Sequence, residues 1–553
     1  MKRIKGVPQK IIISYTAGLL GLFLLFPMLT ILVKSFFTDG TFSFGVYQKL
    51  FLEEGIGRAF INSVGISATS GLLTTVLAFV IAYTVNYTNL SKGLKKAISV
   101  LVMLPMLLPT ITYGFAIIYT FGKQGLITKL IGSQIIDVYS LQGLGLGYVI
   151  YTLPISFMLI NNAIGYIDKK FMTVSRLMGD GKGKTFVTTV LRPLAGNVDL
   201  LSTRLYNEML GSLPDFHAGS AVSIIMLIPS IVSIMLITYL KKYNIRYDRI
   251  SQVELEKNKA RDAALGTISM AIICVVLSVF GVIFVIPFVD QWPYRMNFTM
   301  ENITKMFADR ALFDVYKNSL FAASMTAIFG TVFAYSTALV AGRRGEHRNL
   351  GKIPDCAALV TNTIPGMVLG VAYLLAFKGT VVHNTFVILI VCNIIHYFSS
   401  PYLMMKSGLE KLNASWEITA KLMGDNWIKT VLRIITPNAM VTILEVFEYY
   451  FVNAMVTVSA VIFLASTRTM IITAKIKELQ HFANFNEIFV LSILILLTNL
   501  VVKAAVRMIG KRIGGKNEKT TYFIISNNTW SYMPGWMRKQ GRRRTGHHLF
   551  QRR

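Results

Sequence analysis

Charged residues are scarce in this chain, at 15% of 553 positions, where a soluble globular protein carries about 25%. That shortage excludes an ordinary set of water-soluble domains. Cysteine is scarcer still. Cys274, Cys356 and Cys392 each sit in an apolar run, at spacings that fit neither a disulfide framework nor a zinc site. Acidic residues number 27 against 56 Lys and Arg, which leaves a net charge of +29. In a soluble protein that excess would suggest nucleic acid. Here the basic residues fall between apolar runs, where they set orientation across a bilayer, and no nucleic-acid partner is expected. The sequence offers no Ser/His/Asp set, no His/Cys metal cluster and no catalytic carboxylate pair. It is read as no enzyme, with no cofactor of its own.

Apolar residues are what the chain has in quantity: 53% of positions, with a mean hydropathy of +0.55. A helix needs about 20 apolar residues to cross a bilayer. Eleven runs qualify, near residues 11–34, 60–86, 97–121, 140–163, 220–240, 264–289, 319–341, 354–377, 384–405, 438–465 and 485–508. The first is too long for a cleavable signal and is expected to remain as a span. Basic clusters at Lys2/Arg3/Lys5, Lys92/Lys95/Lys96, Lys169/Lys170/Lys182/Lys184, Lys241/Lys242/Arg246/Arg249, Arg343/Arg344/Arg348/Lys352 and Lys503/Arg507/Lys511/Arg512 mark the cytoplasmic side. The N-terminus is therefore expected inside. Eleven crossings cannot place every cluster on one face, because only 220–240 separates the clusters at 169–184 and 241–249.

An internal repeat accounts for the conflict. The stretch INSVGISATSGLLTTVLAF (61–79) matches KNSLFAASMTAIFGTVFAY (317–335), and LPTITYGFAIIYTFG (108–122) matches IPGMVLGVAYLLAFKG (364–379). Asn62 pairs with Asn318, Pro109 with Pro365 and Gly114 with Gly370, each 256 residues apart. Self-similarity at a fixed offset marks a duplicated architecture, and such repeats are common in transporters. RLMGDGKGKTFVTTVLRP (176–193) matches KLMGDNWIKTVLRIITP (421–437). The first copy ends in Gly183-Lys184-Thr185, like a phosphate-binding P-loop, but Met178 stands where that motif needs its first glycine. The second copy lacks the glycines altogether, so nucleotide binding by this loop is excluded. Beyond it the offset rises from 244 at Pro193/Pro437 to 270 at Glu208/Glu478, or 262 at Lys241/Lys503. The first half is shorter there by 26 or 18 residues, about one crossing. Residues 194–216 are too polar to supply it. The first repeat is thus expected to lack its fifth span, by deletion or by an error in the gene sequence.

A loop after the fourth span of each half, with a glycine and a following proline spaced as Gly424 and Pro437 are, resembles the EAA loop of ABC importer permeases. Thr173-Val174-Ser175 and Ile418-Thr419-Ala420 stand where Glu-Ala-Ala would be, with Glu417 one residue before. In the first copy Pro193 comes one place late. The fused double form, over about residues 10–512, resembles the ferric-iron, 2-aminoethylphosphonate and thiamine permeases, with polyamine and sulfate permeases as relatives. The fold this implies is an all-α polytopic membrane protein of two tandem MetI-like six-helix permease repeats, residues 1–250 and 251–515. The first repeat lacks one helix, which leaves about eleven.

The partners implied are an ATP-binding cassette ATPase dimer, an extracytoplasmic solute-binding protein and membrane lipid. The location implied is the plasma membrane of a bacterium. By the resemblance, each loop is a short helix that docks into a groove on the ATPase. Gly179 or Gly424 would turn the chain between helices. Leu177, Met178 and Phe186, and Leu422, Met423 and Trp427, would fill the groove. Lys182, Lys184 and Lys429 would meet its acidic rim, and Asp180 and Asp425 follow the glycines. An ordinary basic loop is the plainer reading of the same residues.

Within the spans, Glu445 and Glu448 share one helix face with Asn453 nearby. They line a path or gate, or else form a hydrated pair near the cytoplasmic interface. His396 with Asn393 reads as a path residue or as helix packing. Pro105, Pro109 and Pro365 break the third span of each half, which serves a path or packing alone. After Gly515 the composition changes: residues 516–553 hold nine Lys/Arg and one acidic residue. This is a basic arm for membrane or RNA, or a disordered, aberrant tail, which is the expectation. A secondary transporter driven by an ion gradient, supported by Glu445/Glu448, and a non-functional permease remnant stay open as alternatives.

Overall fold

Inside a bilayer a backbone can satisfy its own hydrogen bonds only as helix or closed barrel, and this chain takes helix. The computed structural model describes residues 7–38, 41–52, 56–165, 216–240, 258–292, 294–342, 352–413, 415–482 and 484–531. The first half holds α1 (Pro8–Phe36), α2 (Gly45–Leu52), α3 (Ile56–Tyr87), α4 (Lys92–Leu101), α5 (Thr110–Phe121), α6 (Leu141–Gly165) and α7 (Phe216–Leu240). The second half opens with α8 (Lys259–Phe288), α9 (Glu301–Ala308), α10 (Arg310–Gly342), α11 (Lys352–Thr363) and α12 (Gly366–Phe377). It continues with α13 (Phe386–His396), α14 (Ser399–Glu410), α15 (Ser415–Leu422), α16 (Trp427–Val456), α17 (Ile472–His481) and α18 (Phe485–Ser531).

The repeat read from the sequence is visible in the order of elements. Each half begins with a long helix, then a small antiparallel hairpin, then a short helix. The hairpins are β1 (Phe37–Thr38) with β2 (Thr41–Phe42), and β3 (Val289–Gln291) with β4 (Arg295–Phe298). They are followed by α2 and α9. The capping is local and conventional. Ser91 accepts from the Leu94 N–H at the start of α4, and Asn258 accepts from Arg261 at the start of α8.

Among the described residues, seven helices are long and apolar enough to cross a membrane, and two bent pairs, α11/α12 and α13/α14, bring the number to nine. The other two of the eleven expected runs are helical as well. One is divided between α4 and α5, and α7 contains the shorter apolar stretch Gly219–Ile228. The segment expected to have lost a span, 194–216, lies almost wholly outside the described residues, as does the boundary at 250/251. The helix α18 runs through the compositional break at 515 to Ser531, and 532–553 lie outside the described residues.

The halves exchange their first helices. The helix α1 packs against α10, α11 and α12 of the other half. Thr16 and Thr337 share a hydroxyl hydrogen bond of 3.2 Å. The Tyr373 hydroxyl donates to the Phe23 carbonyl at 2.6 Å, and the Phe23 and Phe377 rings lie 5.7 Å apart. Reciprocally, α8 packs against α3, α4 and α5. The Ser269 hydroxyl donates to Thr84 at 2.8 Å, the Asn89 N–H to Asp262 at 3.0 Å and the Thr120 hydroxyl to the Val279 carbonyl at 3.3 Å. Seven of these partners are Ser, Thr, Tyr or Asp side chains on otherwise apolar helices. That is the usual glue where apolar faces gain nothing from leaving lipid for protein.

Candidate functional site

Two regions can act. The first is the loop between α14 and α16. The short helix α15 stops at Leu422 because Gly424 takes a left-handed conformation, φ +82°, which lets the Asp425 N–H bond back to the Ala420 carbonyl at 3.0 Å. Asn426 then caps the next helix, accepting from the Lys429 N–H at 2.8 Å. This is the turn expected at Gly424, and its cause is the missing Cβ. Leu422 is 83% exposed, and Ile418, Met423, Ile428 and Leu432 are exposed with it. Trp427 instead packs partly buried against the core, and Lys429 pairs with Asp425 in its own loop. Leu177, Met178, Gly179, Asp180, Lys182, Lys184 and Phe186 lie outside the described residues.

The second region lies where the long helices break. Pro109 and Pro365 occupy the same place in the two halves, as the N-caps of α5 and α12. Each lacks the N–H that would continue the preceding helix. The bend between α11 and α12 is 106°, and that between α13 and α14 is 57°. In the first half the Leu107 carbonyl, at the break, accepts from the Asn499 amide of α18 at 3.0 Å, and the Pro105 carbonyl, four residues before Pro109, accepts from the Tyr113 hydroxyl. In the second half a polar cluster forms. A Cβ on Gly366 would stand 2.3 Å from Ser459 Oγ and 3.1 Å from the His396 ring, so only glycine lets these three meet. His396 Nδ1 and Asn393 Oδ1 have no hydrogen-bond partner among the described residues, and Asn393 is 1% exposed.

Tyr397 follows His396 with ring centroids 4.6 Å apart, and its hydroxyl bonds Thr457 at the end of α16. Tyr449 lies edge-on to Tyr397 at 6.4 Å and bonds Ser400. Tyr151, from α6 of the first half, is within electrostatic reach of both. It is 43% exposed, and His396, Tyr397 and Tyr449 are partly buried.

Of the path candidates read from sequence, the fold brings His396, Asn393 and the Pro365 break together. Asn453 is placed one turn beyond Tyr449, whose carbonyl it bonds at 2.7 Å. Pro109 lies in the other half. Glu445 is exposed, within electrostatic reach of Lys411 beside the loop. Glu448 forms an ion pair with Lys503 of α18 at 2.8 Å. Sequence reading missed Tyr151, Tyr397, Tyr449, Thr457 and Ser459. A hydropathy scan treats tyrosine as part of an apolar run, and only the folded chain puts these residues at one level.

A duplicated helical membrane bundle with broken third spans and a glycine-turned loop presenting apolar residues is the architecture of a transport permease of the ABC importer type. The chain belongs to the family of binding-protein-dependent transport system inner membrane components, which matches residues 74–198 and 330–515. Both matches include one copy of the repeated loop. This is a family of transport permeases and not of enzymes.

Among relatives, FbpB of Actinobacillus pleuropneumoniae, a ferric transport system permease protein, is 23% identical over 504 residues, covering 83% of this chain and 72% of its own. Its namesake FbpB 1 of Haemophilus influenzae is 24% identical over 499 residues, covering 82% and 77%. The crystal structure of a bacterial ABC transporter involved in import of the acidic polysaccharide alginate overlaps 46% of this chain and 97% of its own, with 15% identity and a TM-score of 0.40.

Proposed function

We propose that this chain is the membrane channel of a ferric-iron importer in a bacterial plasma membrane, with its N-terminus cytoplasmic. A solute-binding protein would deliver the cargo to the face carrying the two hairpins, α2 and α9. A separate ATPase dimer would grip the loops at the opposite face and drive the halves between inward- and outward-open states. The observation that carries this reading is the loop at Gly424, whose exposed Leu422, Met423 and Ile428 form an apolar knob with no cover among the described residues. A groove on a partner subunit is the natural cover for such a helix. The ferric cargo rests on the relatives that cover most of the chain.

The test is to isolate the tagged chain from its native membrane, identify what comes with it, and follow radioactive iron into cells. Recovery of an ATPase together with iron uptake supports the reading. A stable chain that brings no ATPase removes the motor from it. The ion-gradient alternative loses ground, because Glu448 is already paired with Lys503. The remnant alternative keeps one observation. Only 28% of the α3 window is buried, against 56% for its repeat partner α10.

A further inference from the structure

We propose that the groove between α3, α6 and α8 is a lipid site, which holds an acyl chain of a membrane phospholipid at the seam where the second half's first helix enters the first half. The groove has a volume of about 610 Å³ and is walled by Ile66, Leu73 and Leu77 of α3, Leu146 and Val149 of α6, and Ile272 of α8. That volume falls within the roughly 300–1,000 Å³ of sites that take small ligands. Its polar side chains are Thr69, Ser70 and Gln142. The Thr69 hydroxyl is turned back onto its own helix, donating to the Gly65 and Ile66 carbonyls at 2.9 and 3.0 Å. The assignment holds whatever the cargo is.

The occupant follows from continuity, length and the repeat. The groove is continuous with apolar surface on membrane-crossing helices, where Leu72, Val76 and Val275 are exposed. From Ile66 to Leu77, at ~1.5 Å per residue, α3 rises ~16 Å, about half of the ~30 Å hydrocarbon core and hence one leaflet. The helix α6 runs parallel beside it. A Cβ on Gly145 would stand 3.3 Å from the Ile66 δ-methyl, and the Thr152 hydroxyl donates to Thr74 at 3.0 Å. The groove therefore starts on the hairpin-bearing side and ends near mid-membrane, as a chain of that leaflet does.

The repeat shows that side-chain size opens the groove. At the shared offset of 256, Gly65, Leu73 and Leu77 stand where the second half has Phe321, Phe329 and Phe333. Phe321 meets Phe386 at 5.3 Å, and Phe333 meets Phe398 at 5.1 Å. A Cβ on Gly65 would meet no described residue within 4 Å. Wall atoms with nothing against them forfeit dispersion contacts. Aromatic rings supply those contacts in one half, and a chain from the bilayer supplies them in the other.

The test has two measurements on the full chain. Native mass spectrometry of the chain purified in mild detergent should find a phospholipid retained. Leu73→Phe/Leu77→Phe, which gives α3 the second half's residues, should lose it without lowering the melting temperature. Val332→Phe, on the exposed face of α10, should keep it. In nanodiscs containing phosphatidylethanolamine with a mid-chain diazirine, irradiation should label Leu73, Ile272 and Val275 several-fold more than the exposed Phe329 and Val332. The second measurement needs no variant, so it stands even if the double variant fails to fold. Absence of retained lipid, retention by a folded double variant, or labelling spread evenly over both halves overturns the lipid site. A dimer whose cross-links run through the groove also overturns it, and gives the groove to a second copy of the chain.

Discussion

Gly370 and Gly114 stand at equivalent places in the repeat but meet different surroundings. A Cβ on Gly370 would lie 2.3 Å from the Ala460 carbonyl, whereas around Gly114 no described residue comes within 4 Å. Ala460 belongs to the segment that follows the second half's fifth span, the span for which the first half has no counterpart in sequence. Gly370→Ala should therefore destabilise by about 1–3 kcal/mol through overpacking. Gly114→Ala should be neutral or stabilise by up to about 1 kcal/mol, as Ala replaces Gly inside a helix. Thermal melting of the two variants in detergent checks the pair, and equal losses would contradict it.

Lys429 carries a related lesson. Sequence reading gave it to a partner's acidic rim, and the fold gives it to Asp425 four residues earlier, an exposed pair worth about 0.5 kcal/mol. Lys429→Ala should leave ATPase recovery in a pull-down within about twofold of the unsubstituted chain, because a contact of that size shifts an equilibrium little.

Among elements, the loop helices and the helix breaks differ in how legible they were. The turn at Gly424 could be read from the letters because only a residue without Cβ enters left-handed backbone cheaply. The breaks at Pro109 and Pro365 were equally legible, since proline cannot continue a hydrogen-bonded helix. The break between His396 and Ser399 was passed over, although Pro401 in the first turn of α14 marks it, since that proline lacks the N–H that would continue the preceding helix. The edge-on approach of Tyr449 to Tyr397 was not legible, because it depends on how separate helices pack.

The loop gives the sharpest prediction at this scale. Leu422→Asp should abolish ATPase recovery while leaving the melting temperature of the chain within a few degrees, since the side chain is 83% exposed. Gly424→Ala should do both harms. It costs about 1 kcal/mol for placing a Cβ at φ +82° and misdirects the knob. Co-purification beside thermal melting separates the two variants.

At the scale of the molecule, the exchange of first helices ties the halves into one body. If the chain is divided within 241–257 and the two pieces are co-expressed, they should co-purify. Thr16–Thr337, Tyr373–Phe23 and Asp262–Asn89 all join one piece to the other. Pieces that separate cleanly in mild detergent would show that the exchanged helices do not hold the halves together.

The same exchange sets a clock for synthesis. Thr16 finds Thr337 321 residues later, and at ~5–20 residues per second the ribosome needs ~15–65 s to make that stretch. Throughout that interval α1 sits in the membrane without its mate. Its hydroxyls and small residues must be shielded by lipid or by the insertion machinery until the second half arrives. A ribosome that pauses before α10 lengthens that exposure, so the rate of translation is itself a determinant of how much importer the cell obtains.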